Sequence, residues 1–223
     1  IGIAPDAMIM HALALPGGSG TFPQVLAAME WKIDPYYIDP DTGEIVYTGL
    51  PAHVTSMSWG GSMYYSHYFH EVVRNTLLCG VVPVAAAGNE GEGYVASPAA
   101  IWGVFAAGAT NMYDNVPWWS SGGVIKVPDD FRPPEEPEEW PFFPPYPSEY
   151  IKPDFSAPGV YVKSSVPWGW EYWSGTSMAT PHISATIALM LQAAALSPAL
   201  TPEVIYEILR DTAIDFGSPG QDT

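Results

Sequence analysis

Short apolar runs alternate along this chain with stretches whose apolar residues recur at helical spacing. Four runs have the length of a strand, namely 7–15, 52–58, 81–87 and 102–109. Three stretches have helical spacing or a helix-compatible composition, namely 25–33, 64–78 and 183–196. Apolar strands separated by helices are typical of a parallel sheet that is covered on both faces. The pattern therefore predicts an α/β fold, a doubly wound parallel sheet flanked by helices.

One segment, 124–150, interrupts this alternation. It carries eight prolines between Pro128 and Pro147, together with several acidic and aromatic residues, namely Glu135, Glu136, Glu138, Glu139, Trp140, Phe142, Phe143 and Tyr146. Proline has no backbone N–H to donate, so such a segment forms neither a helix nor a central strand. We interpret it as a surface insertion in a single domain spanning 1–223, held by its aromatic residues or partly disordered, and peripheral to catalysis. A ligand-binding role is the less favoured alternative.

Charge and cysteine content narrow the possible functions. The chain has 7 Lys and Arg residues against 24 Asp and Glu residues, a formal net charge of −17. This excess opposes binding to nucleic acids or anionic membranes. The single cysteine, Cys79, excludes an internal disulfide framework, and its apolar surroundings predict a small buried residue. No membrane span or targeting signal is visible in the sequence.

A hydroxyl-rich stretch, S-G-T-S-M-A-T-P-H, comes directly before the uncharged helix predicted at 183–196. A hydroxyl in the first turn of a buried helix either caps backbone N–H groups or acts as a nucleophile in the field of the helix N-terminus. The local pattern alone favours capping. Two other stretches, 58–61 and 85–91, follow predicted strands, where the sites of parallel sheets lie.

Taken together, these stretches resemble the subtilisin-like serine proteases. The resemblance rests on G-T-S-M-A-T-P-H from Gly175 and on A-A-A-G-N-E-G from Ala85. Further matches are G-I-A-P-D-A from Gly2 and K-P-D-F-S-A-P-G-V from Lys152. The similarity runs from Gly2 to about residue 217, apart from the proline-rich insertion. It implies a secreted or extracellular endopeptidase that cleaves extended peptide or protein substrates.

The resemblance also implies roles for individual residues. Ser177 matches the nucleophile, which forms an acyl-enzyme, and Asn89 matches the side chain that donates to the oxyanion. A further set matches the two edges that hold the substrate as an added strand and the pocket for the side chain before the cut. These substrate-binding residues are Gly18, Ser19, Gly20, Ser58, Trp59, Gly60, Ala86, Ala87 and Gly88.

The catalytic Asp and His of this family precede the serine in the chain. The family's H-G-T-H motif lies just before the region that matches Gly2, and it occurs nowhere in this sequence. His182 lies five residues after Ser177, about 140° around a helix, so it does not face the same proton. We therefore expect a catalytic domain incomplete at both ends, inactive alone, whose partner is an N-terminal segment carrying the Asp and the His.

Two other classes of function were weighed. An α/β-hydrolase requires a histidine downstream of its serine, and none follows His182. A non-catalytic pseudoprotease or peptide-binding module stays open as the alternative. No metal-binding side chains are predicted, and calcium is the one candidate cofactor, at backbone carbonyls of the loop 93–99.

Overall fold

The computed structural model describes residues 2–61, 65–131, 140–142, 146–195 and 200–215. In chain order, its helices and strands are α1 (Phe22–Trp31), β1 (Tyr36–Ile38), β2 (Ile45–Tyr47), β3 (Val54–Met57), α2 (His70–Leu78), β4 (Val82–Ala86), β5 (Phe105–Thr110), β6 (Gly123–Lys126), β7 (Glu149–Lys152), β8 (Phe155–Pro158), β9 (Val162–Val166), β10 (Gly169–Trp173), α3 (Thr176–Ala193) and α4 (Pro202–Thr212). No helix among these described residues is long and apolar enough to cross a membrane.

A parallel sheet of four strands, in the order β3-β4-β5-β8, forms the centre of the fold. Every residue of β4 and all but the last residue of β5 are buried. Both faces of these central strands are therefore covered, which explains why their sequences are continuously apolar. The helix-flanked parallel sheet predicted from the sequence is confirmed.

Helix α3 packs against all four strands of this sheet. Its buried side chains include Ala179, Ile183, Ile187 and Leu191, which recur every four residues along one face. Helix α2 packs on β4 with Val73 and other apolar residues, and α1 packs on α2. The first turn of α3 lies at the carboxyl edge of the sheet, since Ser177 contacts Ser58 and Thr176 contacts Asn89 in the loops that follow β3 and β4.

The proline-rich insertion is anchored to the core at its base. Strands β6 and β7 pair antiparallel, and the side chains of Trp140 and Phe142 are buried. The ring of Phe142 lies 6.0 Å from that of Phe105 and 5.4 Å from that of Tyr206. The aromatic anchoring expected from the sequence is therefore seen for these residues. Phe143 and the four glutamates at 135, 136, 138 and 139 lie outside the described residues.

A polar cluster joins the insertion to α2. The hydroxyl of Tyr65 lies 2.5 Å from Nε2 of His70 and 3.1 Å from the hydroxyl of Tyr146. Tyr150 donates to the carbonyl of Ala100 at 2.7 Å. Burial lowers the pKa of His70 to about 4, so this imidazole is neutral at physiological pH. His70 is thus a half-buried structural residue.

A buried ion pair ties β7 and β8 to β5. Lys152 Nζ lies 2.6 Å from Oδ2 of Asp154 and donates to the carbonyl of Val104 at 2.6 Å. The same carboxylate accepts from the backbone N–H of Ala106 at 2.7 Å and from the hydroxyl of Tyr206 at 3.1 Å. Asp154 therefore has a structural role.

Two expectations from the sequence are wrong. The run 7–15 forms no strand, and Met8 and Ile9 are 89% and 90% exposed. No strand of the described chain pairs with this run, and an apolar segment becomes a strand only where a neighbour takes up its backbone hydrogen bonds. Cys79 is exposed rather than buried, because it lies just beyond the end of α2.

Candidate active site

Ser177 lies in the first turn of α3, beside the loop that follows β3. Its Oγ donates to the backbone carbonyl of Ser58 at 3.2 Å, and the Oγ of Ser58 donates to the carbonyl of Ser177 at 2.8 Å. The N-cap of α3 is Gly175, which has no side chain, and the Ser177 hydroxyl accepts no hydrogen bond from the helix backbone. The capping role that the local sequence favours for the hydroxyl is therefore not observed.

Asn89 lies in the loop after β4, and its side chain lies beside the first turn of α3. Its Oδ1 accepts hydrogen bonds from the backbone N–H of Thr176 at 2.9 Å and from the Thr176 hydroxyl at 3.1 Å. Thr176 is fully buried, so this contact fixes the orientation of the amide. The carbonyl end of Asn89 is thereby occupied, and its NH₂ group is left for a ligand beside Ser177. The sequence analysis did not single out Thr176.

Gly88 allows the close packing of this loop. Its φ is +120°, and an added Cβ would lie 2.5 Å from Oε2 of Glu90 and 2.9 Å from Oγ of Ser121. A side chain at this position would therefore displace Glu90 and strain the backbone. The backbone N–H of Gly88 also donates to the Thr176 hydroxyl at 3.2 Å. These contacts hold the loop that presents Asn89.

A cleft of about 340 Å³ opens on one side of Ser177 and Asn89. The other residues that line it are Trp59, Gly60, Gly61, Ala86, Gly88, Glu90, Tyr94, Ala96 and Thr176. The Glu90 carboxylate accepts from the backbone N–H of Asn89 at 2.7 Å and from the Ser121 hydroxyl at 3.2 Å. Desolvation, and then the Glu90 charge, raise the pKa of Tyr94. This cleft thus combines small residues, two aromatic side chains and one carboxylate.

A second cleft, of about 660 Å³, shares Asn89 and Ser177 with the first. The remaining residues of its lining are Ser58, Tyr172, Trp173, Ser174, Gly175 and Met178. Since the two clefts meet at the same hydroxyl and amide, an extended chain lying across Ser177 would occupy both. Tyr172, Trp173 and Met178 were not predicted as site residues.

The structure brings together most, but not all, of the predicted substrate-binding residues. Trp59, Gly60, Ala86 and Gly88 line the first cleft, and Ser58 lines the second. Ala87 lines neither cleft and is fully buried, because successive residues of an extended chain point to opposite faces. Gly18, Ser19 and Gly20 are exposed, and they line neither cleft.

None of the five histidines, all of which are described, has a hydrogen bond to Ser177. Nδ1 of His182 lies 2.7 Å from the carbonyl of Met178, one helical turn earlier, as expected for a structural residue. In the part of the chain that the structure describes, no group of three His, Cys, Asp or Glu residues could hold a metal ion. Calcium binding to carbonyls of the loop 93–99 stays a prediction.

Comparison with known proteins agrees with this geometry. The family model for the subtilase family matches residues 1–223. The chain belongs to the subtilase family. This subtilase is 32% identical over 222 residues to bacillopeptidase F of Bacillus subtilis, covering 96% of the present chain and 14% of that relative.

Two further relatives are also similar over nearly the whole of this chain but over only part of their own length. Alkaline elastase YaB of a Bacillus species is 28% identical, with 99% of this subtilase and 47% of the relative covered. Minor extracellular protease Epr of Bacillus subtilis is 31% identical, with 99% and 28% covered. The chain thus spans less than half the length of each of these three curated relatives.

Proposed function

We propose that this chain supplies the nucleophile and the oxyanion hole of a serine endopeptidase. The observation that carries the proposal is the fixed amide of Asn89 beside Ser177. Its Oδ1 is held by Thr176 at 2.9 Å, so its N–H groups can meet a charge that develops on a substrate oxygen. The backbone N–H of Ser177 lies in the first helical turn, where it has no intrahelical acceptor, and is the second donor.

In the proposed reaction, Ser177 Oγ bonds to the carbonyl carbon of the scissile peptide while its proton passes to a base. The carbonyl oxygen becomes negatively charged and accepts hydrogen bonds from Asn89 and from the Ser177 N–H. The C–N bond then breaks, and the base returns the proton to the leaving amine. Water hydrolyses the acyl-enzyme ester by the same steps, which regenerates the Ser177 hydroxyl.

The base and its carboxylate partner are proposed to come from a further segment that carries the catalytic His and Asp. Two features support a docking place for it. Strand β3 is an end strand of the sheet, so among the described residues its outer edge has no partner. The apolar run 7–15 is also exposed, with Leu13 at 71% in addition to Met8 and Ile9. A strand added at β3 would pair with the free backbone groups of that edge and could bring the missing base toward Ser58 and Ser177, which lie just beyond it.

The substrate is proposed to be an extended peptide or protein segment. The first cleft would take the side chain before the cut, and the second would take residues after it. The small residues Gly60, Ala86, Gly88 and Ala96 make the first cleft suitable for an apolar or aromatic side chain. We also propose that the enzyme acts outside the cell, since one relative is named an extracellular protease.

One observation favours a second candidate function. Ser177 donates to a backbone carbonyl and has no basic partner among the described residues. A protein that kept the clefts but lacked the base would bind peptides without cleaving them. Such a pseudoprotease would show affinity for extended peptides and no acyl-enzyme under any condition.

Co-expression of this chain with the upstream segment of its gene separates these possibilities. Hydrolysis of a chromogenic peptide is expected from the assembled enzyme and from neither part alone. Ser177→Ala should abolish turnover, while Ser148→Ala, an exposed serine that lines neither cleft, serves as the matched control and should retain it. Turnover that survives Ser177→Ala would refute the proposed nucleophile, and peptide binding without turnover would support the pseudoprotease.

A further inference from the structure

Two successive residues at the start of α3 are tied to two different loops of the sheet. The backbone N–H of Thr176 donates to Oδ1 of Asn89 at 2.9 Å, in the loop after β4. The backbone carbonyl of Ser177 accepts from the hydroxyl of Ser58 at 2.8 Å, in the loop after β3. The first contact orients the amide of Asn89, and the second acts on the main chain of Ser177 itself.

The sequence of α3 explains why the Ser177 carbonyl takes a donor from a side chain. In an α-helix, this carbonyl would accept from the backbone N–H of the residue four positions later. That residue is Pro181, which lies inside α3 and has no N–H. The proline ring also crowds the carbonyl four residues before it, which disfavours the regular helical geometry there. The carbonyl of Ser177 has therefore lost its regular donor, and Ser58 supplies another.

Other hydroxyls bonded to carbonyls of α3 come from within the helix. Thr180 donates to the carbonyl of Thr176 at 2.9 Å, and Thr186 donates to the carbonyl of His182 at 2.9 Å. Each of these carbonyls lies four residues before a residue that has an N–H, so the hydroxyl there is an additional donor. Ser58 differs from both, because it belongs to another element and bonds to a carbonyl whose regular donor is missing.

The contact between Ser58 and Ser177 is reciprocal. Ser177 Oγ donates to the backbone carbonyl of Ser58 at 3.2 Å. In the proposed reaction this hydroxyl rotates to donate to the base, which breaks its hydrogen bond to Ser58. The bond from Ser58 Oγ is not broken by that rotation, because its acceptor is the main chain of Ser177. It therefore holds the backbone of Ser177 in both positions of the reactive hydroxyl.

We propose that Ser58 is a positioning residue for the nucleophile. Its hydroxyl replaces the N–H that Pro181 lacks and holds the backbone of Ser177 against the loop after β3. This inference rests on the proposed function, because that function makes Ser177 the nucleophile. A small displacement of a reacting atom lowers a rate strongly, so the Ser58 hydroxyl acts on the rate of acylation rather than on substrate affinity.

A double-mutant cycle between Ser58 and Pro181 tests this role. In the assembled enzyme, Ser58→Ala should lower kcat for a peptide roughly three- to tenfold and leave KM nearly unchanged, the usual effect of one lost hydrogen bond. Pro181→Ala restores an N–H four residues after the Ser177 carbonyl. In the Pro181→Ala background, Ser58→Ala should therefore lower kcat less than about twofold.

Controls separate this role from general damage. Pro181 lines neither cleft, so a rescue by Pro181→Ala does not arise from substrate contacts. Thr186→Ala removes an exposed hydroxyl that donates to a carbonyl of the same helix, and its effect on kcat should be the same in both backgrounds. An unchanged kcat in Ser58→Ala, a change confined to KM, or an equal loss of kcat in the two backgrounds would overturn the inference.

A second measurement does not depend on catalysis. Hydrogen–deuterium exchange, followed by mass spectrometry, reports local opening of the backbone at the start of α3. In the assembled enzyme, Ser58→Ala should accelerate exchange in the peptide 176–184 roughly three- to tenfold, and this acceleration should largely disappear in the Pro181→Ala background. Exchange that Ser58→Ala leaves unchanged, or changes equally in both backgrounds, overturns the inference. The expected exchange without any acyl-enzyme refutes the proposed function alone.

Discussion

The backbone N–H of Thr176 donates to Oδ1 of Asn89 at 2.9 Å, one residue before the hydroxyl of Ser177. This hydrogen bond joins the loop after β4 to the start of α3, two elements that are distant in sequence. Because an amide has its acceptor and its donors at opposite ends, fixing Oδ1 also fixes the direction of the N–H groups. The NH₂ group of Asn89, the proposed oxyanion donor, is thus oriented before any substrate arrives.

Replacing Asn89 by leucine should lower kcat of the assembled enzyme and leave KM nearly unchanged. The amide bonds to an oxygen whose charge exists only in the transition state, and removing one such donor typically costs about 10²–10³-fold. Asn89→Asp is the matched variant, because it keeps the acceptor for Thr176 and removes the donor. Steady-state kinetics on a peptide would contradict this role if kcat were unchanged or if only KM rose.

The first cleft should favour an apolar or aromatic side chain before the cut. Its small residues leave room for a large side chain. Burial of an apolar side chain there contributes roughly 25 cal/mol of binding free energy for each Å² removed from water. Glu90 lines the same cleft, so Glu90→Gln should lower cleavage after lysine a few-fold relative to cleavage after phenylalanine. A peptide library varied at this position provides the measurement. Strong selection for Lys or Arg by the unmodified enzyme would show that Glu90, rather than the apolar wall, determines specificity.

Phe142 should stabilise the fold without taking part in catalysis. Its ring is fully buried against Phe105 and Tyr206, so Phe142→Ala should lower the free energy of unfolding by about 3–5 kcal/mol. Tyr113→Ala, at an exposed position, is the control and should change stability little. Thermal unfolding measures the loss, and kcat below the melting temperature should stay within about tenfold of the unmodified enzyme, since the insertion contacts neither cleft through Phe142. A folded variant without activity would place the insertion in the active site.

Lys32 should make stability depend on pH. It is buried, its Nζ has no hydrogen-bond partner among the described residues, and desolvation lowers its pKa from 10.5 to about 7. Between pH 7 and 10.5 the unfolded chain holds this proton and the folded chain does not, so stability rises with pH in that window. Below pH 7 the folded protein must bury the charge, at a cost on the order of 5 kcal/mol.

Lys32→Met removes the contribution of Lys32 to the pH dependence of stability. The difference in stability between the variant and the unmodified chain then depends on Lys32 alone, because all other groups titrate in both proteins. The variant should be more stable than the unmodified chain at pH 6, and the difference should shrink toward pH 10. Denaturant unfolding at pH 6, 8 and 10 measures it. A difference that does not change with pH would show that Lys32 reaches water or an acceptor in solution.

The sheet was predictable because its strands are continuously apolar, and every residue of β4 is buried as that pattern requires. Ser177 and Asn89 were predicted as site residues from sequence motifs rather than from periodicity, since a hydroxyl at a helix start more often caps. The motif outweighed the interpretation of the hydroxyl as a helix cap. The N-cap residue of α3 is a glycine, which excludes that interpretation.

Other features depend on tertiary contacts that no local pattern contains. The run 7–15 has the composition of a strand, but its backbone has no pairing strand in the described chain. Ala87 belongs to the matched motif, yet strand alternation turns it into the core. Thr176 contacts Asn89, which is distant in sequence, and Trp173 projects from the β9–β10 hairpin into the second cleft. Only the structure places these two residues beside Ser177.

Labelling of Ser177 by a fluorophosphonate tests the central claim most directly. The reagent forms a stable adduct with a serine hydroxyl only when a base and an oxyanion hole activate it. We expect one adduct on the assembled enzyme, located by peptide mass spectrometry at Ser177, absent from Ser177→Ala and strongly reduced in Asn89→Leu. Labelling at another residue, or equal labelling of this chain without its partner segment, would contradict the account.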